Sequence, residues 1–264
     1  MQLLRRSTLV LREISAHPGG LTLQELVTRL GIPLASMHRL LAALSEERLV
    51  ARSSSTRRYV IGPTIHRLAA NCTSRANVAD VARPHLEALR RDVAETAVVS
   101  QLLGDRVVCV AMAEGAQEVS LFLRVGEEMP LHATAAARAI LAYWRPAFVR
   151  KALSARRLPA FTDCTPTDVE AILRALPRIR AQGYDTSEAE VDPEVWSVAA
   201  PIGSPGGEVE ASIAVSAPKH RLASATARRE AIQRVQFAAR AVSSDLAVSG
   251  VGAAAGLGAG ELAM

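Results

Sequence analysis

The chain has 264 residues, a length that suits one to two domains of roughly 100–200 residues each. Hydrophobic residues make up 49% and charged residues 22%, an ordinary globular composition that excludes wholesale disorder. Formal net charge is +5, and it is carried almost wholly by arginine, because Lys151 and Lys219 are the only lysines. That charge is unevenly placed. Residues 1–77 hold eleven arginines against four glutamates, a net of +7, which leaves −2 for the rest of the chain. Such asymmetry is the footprint of a polyanion partner, nucleic acid first and an anionic membrane surface second.

In chain order, residues 2–15 space Leu3, Leu4, Val10, Leu11 and Ile14 as a helix would, up to the breaker His17-Pro18-Gly19-Gly20. Arg12 and Glu13 interrupt the apolar character, so this is no signal peptide. Thr22-Leu23-Gln24-Glu25 predicts a capping box at the start of a second helix, with Leu26, Val27 and Leu30 on its apolar face and Gly31 as its stop. A third helix, 33–44, begins near Pro33 and sends Met37, Leu40, Leu41 and Leu44 to a core. Its opposite face carries Ser36, His38, Arg39 and Ala43. Two helices joined through a glycine turn predict a helix-turn-helix. Short strands at Leu49–Arg52 and Arg58–Ile61 then flank a polar, arginine-bearing tip, and so predict a wing over 52–58.

Residues 63–95 read as largely helical, with Pro84 marking a break or a fresh start. Beyond them strands interleave with helices. Strand-like runs cover Ala97–Leu103, Val107–Ala113 and Val119–Val125, and helices cover Ala135–Tyr143 and Thr167–Ala181. A hairpin joins Ser197–Ile202 to Val209–Val215, and a last helix covers Ala223–Ala247. The fold class that follows is α+β with a mixed or antiparallel sheet. The Gly/Ala-rich tail, 248–264, reads as disordered and is too short and glycine-crowded to span a membrane.

A face entering the major groove needs small or polar residues and a cation for base edge or phosphate. Ser36, His38 and Arg39 meet that need, and Arg57 and Arg58 at the wing tip suit phosphate or the minor groove. Thr22, at a helix start, suits a phosphate as well as its cap. No nucleophile elbow, phosphate loop or metal-spaced His/Cys set occurs, and the three cysteines (72, 109, 164) are far apart, as in a reducing cytoplasm. His132, with Asp185 or Glu188 as a candidate partner, is the one catalytic candidate.

Residue by residue the N-terminal third resembles the IclR family of bacterial transcription regulators, through LTLQELVTRLGIP, MHRLLAALSEERLV and RRYVIGP. The resemblance continues in family order through ARPHLEALRRDVAET, RVGEEMPLHATAAARAILAY, RIRAQGYDTSEAEV, VAAPI and ASIAVSAPKHRL, and so covers about residues 3–247. It implies a winged helix-turn-helix (1–62), a linker helix (63–77) and a GAF-like effector-binding domain (78–247), working as a homodimer or a dimer of dimers. The implied partners are a double-stranded, palindromic DNA operator and a small-molecule effector, with repression expected rather than activation. No membrane partner, cofactor, metal or catalytic residue is expected.

Two departures from the family stand out. Leu34 and Ala35 replace a Lys-Ser pair in the recognition helix, and Ala136-Ala137-Arg138 replaces an Ala-Gly-Lys-like run. By the resemblance, the effector lining is Leu121, Met129, Ala135, Ala136, Ser187, Val195, Ser197, Ala214 and Ser216. That lining is apolar with a few hydroxyls, which implies a weakly polar or aromatic effector rather than a dicarboxylate.

Overall fold

A threonine, a glutamate and a glycine decide where the second helix begins and ends. The Thr22 hydroxyl accepts the Glu25 N–H at 3.2 Å, while the Glu25 carboxylate accepts the Thr22 N–H at 2.7 Å. Gly31, at φ 62°, closes the helix by donating to the Val27 carbonyl at 3.0 Å. These contacts belong to a computed structural model of the chain that describes residues 2–72, 78–115, 123–204 and 208–248. The chain divides into two compact units, Met1–Arg75 and Ala76–Met264.

The first unit runs α1 (Gln2–Ser15), α2 (Leu23–Leu30), α3 (Leu34–Glu46), β1 (Val50–Arg52), β2 (Tyr59–Ile61) and α4 (Pro63–Cys72). Val10 and Ile14 of α1, Leu26 of α2 and Met37, Leu40, Leu41 and Leu44 of α3 close a core that Val50 and Tyr59 complete from the hairpin. The apolar positions are those the helical period picks out. Strands β1 and β2 pair antiparallel, and Leu21 adds a short third rung: its N–H donates to the Tyr59 carbonyl at 3.0 Å and its carbonyl accepts from Tyr59 at 2.7 Å. Gly20 permits that approach, since a Cβ there would sit 2.7 Å from the Tyr59 oxygen, and its φ of +72° suits only glycine well.

The second unit contains α5 (Val78–Val93), β3 (Thr96–Leu103), β4 (Arg106–Ala113), α6 (Ala135–Leu141), α7 (Pro146–Ser154), α8 (Val169–Gln182), β5 (Asp185–Glu188), β6 (Val195–Gly203), β7 (Val209–Pro218) and α9 (Ala225–Val248). Among the described residues the sheet has the order β4-β3-β7-β6-β5 and every pairing is antiparallel, the second of the two arrangements expected. Strand alternation feeds two cores. Ala97 and Val99 face α5 and α9, whereas Val98 and Leu102 face α6 and its neighbours.

Several expectations change. Pro84 neither breaks nor starts a helix: α5 runs through it, and Ala79, Ala82, Leu86 and Leu89 are buried on both sides. Proline's fixed φ is already helical, and burial of that face outweighs one lost ladder bond. The strand expected over Val119–Val125 finds no support at 123–125, which is loop and turn, and 116–122 lie outside the described residues. The end of the linker segment (73–77) and the tail from 249 onward also lie outside them. Two elements had no clear signal. Helix α7 starts at Arg145-Pro146 with a short apolar face, and β5 is four polar or acidic residues long. Among the described residues no helix is long and apolar enough to cross a membrane.

Candidate functional site

Burial of Met37, Leu40, Leu41 and Leu44 fixes which side of α3 faces solvent. His38, Arg39 and Ala43 are exposed there and Ser36 is half-buried. At the start of the helix Leu34 is 53% exposed, with Ala35 exposed beside it. The recognition-helix candidates therefore share one free face, as the periodicity requires.

The wing separates its two arginines. Arg57 is exposed at the tip, at φ 56°, with its backbone N–H donating to the Ser53 carbonyl at 2.9 Å. Arg58 instead turns into its own domain: it donates to the Gly20 carbonyl at 2.8 Å and forks onto Glu25 at 3.1 and 3.2 Å. Hydrogen bonding from the Thr22 backbone, then its hydroxyl and Arg58, holds the Glu25 carboxyl below the usual carboxylate range despite some opposing desolvation. The Thr22 hydroxyl also donates to Glu25 at 3.0 Å, so this cap ties α2 to the wing strand. Thr22→Ala is expected to lower unfolding free energy by about 1 kcal/mol, with Thr22→Ser close to wild type, both read by urea denaturation.

In the second unit, sheet register collects residues that are far apart in sequence. Ser187 pairs with Ser197, and Ser197 pairs with Ser216, so three hydroxyl residues line up across β5, β6 and β7. Ser197 and Ser216 touch through their hydroxyls at 2.8 Å. Ala214, two residues from Ser216, and its partner Val98 lie on the same face. Above them the start of α6 and the loop before it close a cavity of about 280 Å³. Its lining contains Met129, Ala135, Ala136, Ser187, Val195, Ser197, Ala214 and Ser216, which are eight of the nine expected residues. The ninth, Leu121, lies outside the described residues.

Sequence reasoning missed the rest of the lining, which includes Val98, Glu127, Glu128, Thr134, Phe161, Glu190 and Asp192. Period-2 alternation in β3 and the acidic run after β5 were the available signals for Val98, Glu190 and Asp192. Phe161 sits in a loop with no such signal. Thr134 caps α6 by accepting the Ala137 N–H at 3.3 Å and donates to the Pro130 carbonyl at 3.0 Å.

Arg138 of α6 anchors the cavity's acidic wall from behind. Only 5% exposed, it donates to Asp185 at 2.7 Å, to Glu190 at 2.5 and 3.1 Å, and to the His132 and Thr186 carbonyls at 2.7 and 3.2 Å. Burial raises the pKa of both Asp185 and Glu190, against the pull of Arg138. His132 bonds the Pro159 carbonyl at 3.0 Å and stacks on Phe161, while Asp185 is engaged with Arg138 and Glu188 with Arg228. The imidazole is thus a backbone clamp at the cavity's edge. Burial pushes the Cys109 thiol up to about 11, leaving it unreactive at neutral pH.

Two family models cover most of the chain. The model of the IclR helix-turn-helix domain matches residues 3–54, and that of the bacterial transcriptional regulator IclR C-terminal domain matches residues 70–244. The chain is 35% identical over 213 residues to the HTH-type transcriptional regulator BhcR of Paracoccus denitrificans, covering 81% of this chain and 76% of that one. It is 34% identical over 218 residues to the HTH-type transcriptional regulator Rv1719 of Mycobacterium tuberculosis, covering 83% and 82%. Among solved structures, an IclR-type transcriptional regulator from Alicyclobacillus acidocaldarius superposes with a TM-score of 0.71 at 26% identity, over 93% of this chain and 99% of that one. An IclR homologue from Microbacterium hydrocarbonoxydans, complexed with 4-hydroxybenzoate, superposes at 0.75 with 24% identity over 93% and 99%, a likeness of fold. This chain belongs to the IclR family of bacterial transcriptional regulators, with an N-terminal helix-turn-helix and a C-terminal effector-binding domain.

Proposed function

We propose that the protein is a cytoplasmic repressor that binds a palindromic operator as a homodimer or dimer of dimers and responds to a small effector in the Ser187/Ser197/Ser216 cavity. The observation that carries the DNA half is α3, whose exposed face bears His38 and Arg39 within a unit holding the chain's excess positive charge. Ser36, His38 and Arg39 read the major groove, and Arg57 meets phosphate from the wing. Arg58 and Thr22 serve by position, because their polar atoms are engaged with Glu25 and Gly20. Effector binding shifts the sensor domains, and the segment 63–77 carries that shift to the spacing of two recognition helices, which half-site geometry must match.

Footprinting the full-length protein on its own upstream DNA, followed by a promoter–reporter assay, tests this reading. A protected inverted repeat and derepression on deletion of the gene are expected. Sequence-independent protection, or a fall in transcription on deletion, would overturn the palindromic-repressor assignment. The two wing arginines should also separate. Arg57→Ala is expected to flatten the salt dependence of binding by roughly one unit per lost phosphate contact. Arg58→Ala should weaken binding with the slope kept, since its charge is spent on Glu25. Equal slopes for Arg57→Ala and wild type would remove the wing tip from the DNA.

A further inference from the structure

Formal charge on the cavity's described lining is of one sign. That lining contains Glu127, Glu128, Glu190 and Asp192 and holds no lysine, arginine or histidine. Not all four carboxylates are equally free. Glu128 is paired with Arg106 and Arg156 at the surface. Glu127 accepts the Arg124 backbone N–H at 3.0 Å, and Asp192 accepts the Glu194 N–H at 2.8 Å, neither of which carries a formal positive charge. Glu190 shares Arg138 with Asp185, so one guanidinium faces two carboxylates and a negative charge is left over. Arg178 also acts on Asp185, but it is exposed to solvent and screened.

The remaining surface gives the opposite kind of contact. Val98, Met129, Ala135, Val195 and Ala214 are apolar, and the Ser197 and Ser216 hydroxyls are already bonded to each other. A ligand carboxylate entering here would meet like charge without a guanidinium or ammonium to receive it. An ammonium would find acceptors, since carboxylate oxygens in one or two hydrogen bonds keep further lone pairs.

We propose that this cavity takes a small molecule with an apolar or aromatic body and a protonated amine, the body on Val98, Met129 and Ala214 and the ammonium against Glu190 and Asp192. This rests on the effector-pocket reading above and specifies the head group that reading leaves open. Arg138 acts behind the wall as a positioning residue: it fixes Glu190 while leaving the pair of carboxylates short of one positive charge.

The test uses the full-length protein and three ligands that differ only in head group: 2-phenylethylamine, 2-phenylethanol and phenylacetate, titrated by calorimetry at neutral pH. The amine is expected to bind more than about tenfold tighter than the carboxylate, with the alcohol between them. Asp192→Asn should lower amine affinity several-fold and leave the alcohol unchanged. Ser197→Trp, which fills the cavity, should abolish binding of all three. A preference for the alcohol or carboxylate that Ser197→Trp removes would overturn the amine assignment and keep the pocket. Binding that survives Ser197→Trp, or no binding by any of the three, would overturn both.

Discussion

Arg39→Ala is expected to remove most sequence-specific DNA binding and to leave the fold intact. A good bidentate contact to a base discriminates by about 1–3 kcal/mol, and a dimer on a palindrome makes each contact twice, so the loss is about 2–6 kcal/mol. At roughly 1.4 kcal/mol per factor of ten, operator affinity falls by at least about 30-fold. The side chain is exposed on α3, and surface substitutions away from caps and networks stay within about 0.5 kcal/mol of wild type. Gel-shift titration against operator and scrambled DNA should therefore show a specificity ratio that collapses while non-specific binding drops far less. If Arg39 clamps a phosphate instead, both affinities fall together and the salt slope flattens. Unchanged operator affinity would remove α3 from the major groove.

If α3 enters the major groove as proposed, Leu34 and Ala35 leave more of that burden to Arg39. Neither has a polar side-chain atom for a base edge or phosphate, so at the tip of the recognition helix only apolar contact, such as with a thymine methyl, is open to them. His38 and Arg39 are the exposed residues beyond them that can donate hydrogen bonds.

The helix-turn-helix was legible because each signal in it is local. The Thr22–Glu25 box, the Gly31 stop and the Met37–Leu44 stripe all act within a few residues, and the structure places them as that reading requires. Arg58 was not legible in the same way. Its fork onto Glu25 spans 33 positions, and a turn arginine looks the same in sequence whether it points to solvent or inward. The cavity lies between these cases. Its serines were assigned by resemblance, yet what joins them is antiparallel register between β5, β6 and β7, a long-range property. Helix α7 and strand β5 escaped for another reason: each is short, and tertiary burial rather than propensity sustains it. The acidic character of the wall was hidden because Arg138 and Asp185 are 47 residues apart and only the fold shows one guanidinium shared by two carboxylates.

That sharing makes Arg138→Met the second large expected effect, this time on stability. Methionine can refill much of the volume but supplies none of the bonds to Asp185, Glu190 and the His132 and Thr186 carbonyls. Removing one partner of a buried ionic network costs about 3–5 kcal/mol, because the remaining charge is left without compensation. Asp185 is 2% exposed and bears most of that penalty. The pH dependence has a definite sign. In the wild type the folded-state pKa values of Asp185 and Glu190 are raised, so their contribution is fullest below the ordinary carboxylate range and is lost as pH rises through the folded values. Losing the guanidinium raises both further and extends that loss to higher pH. The gap between wild type and Arg138→Met, measured by urea denaturation, should therefore be widest near about pH 8 and shrink toward about pH 5, where the carboxyls can take up protons. Adding Asp185→Asn to the variant should recover part of the loss, since a neutral amide needs no counter-charge. Arg138→Lys should fall between, keeping the charge but not the planar fork. A variant whose stability matches wild type at both pH values would mean that the cluster does not hold the wall of the cavity.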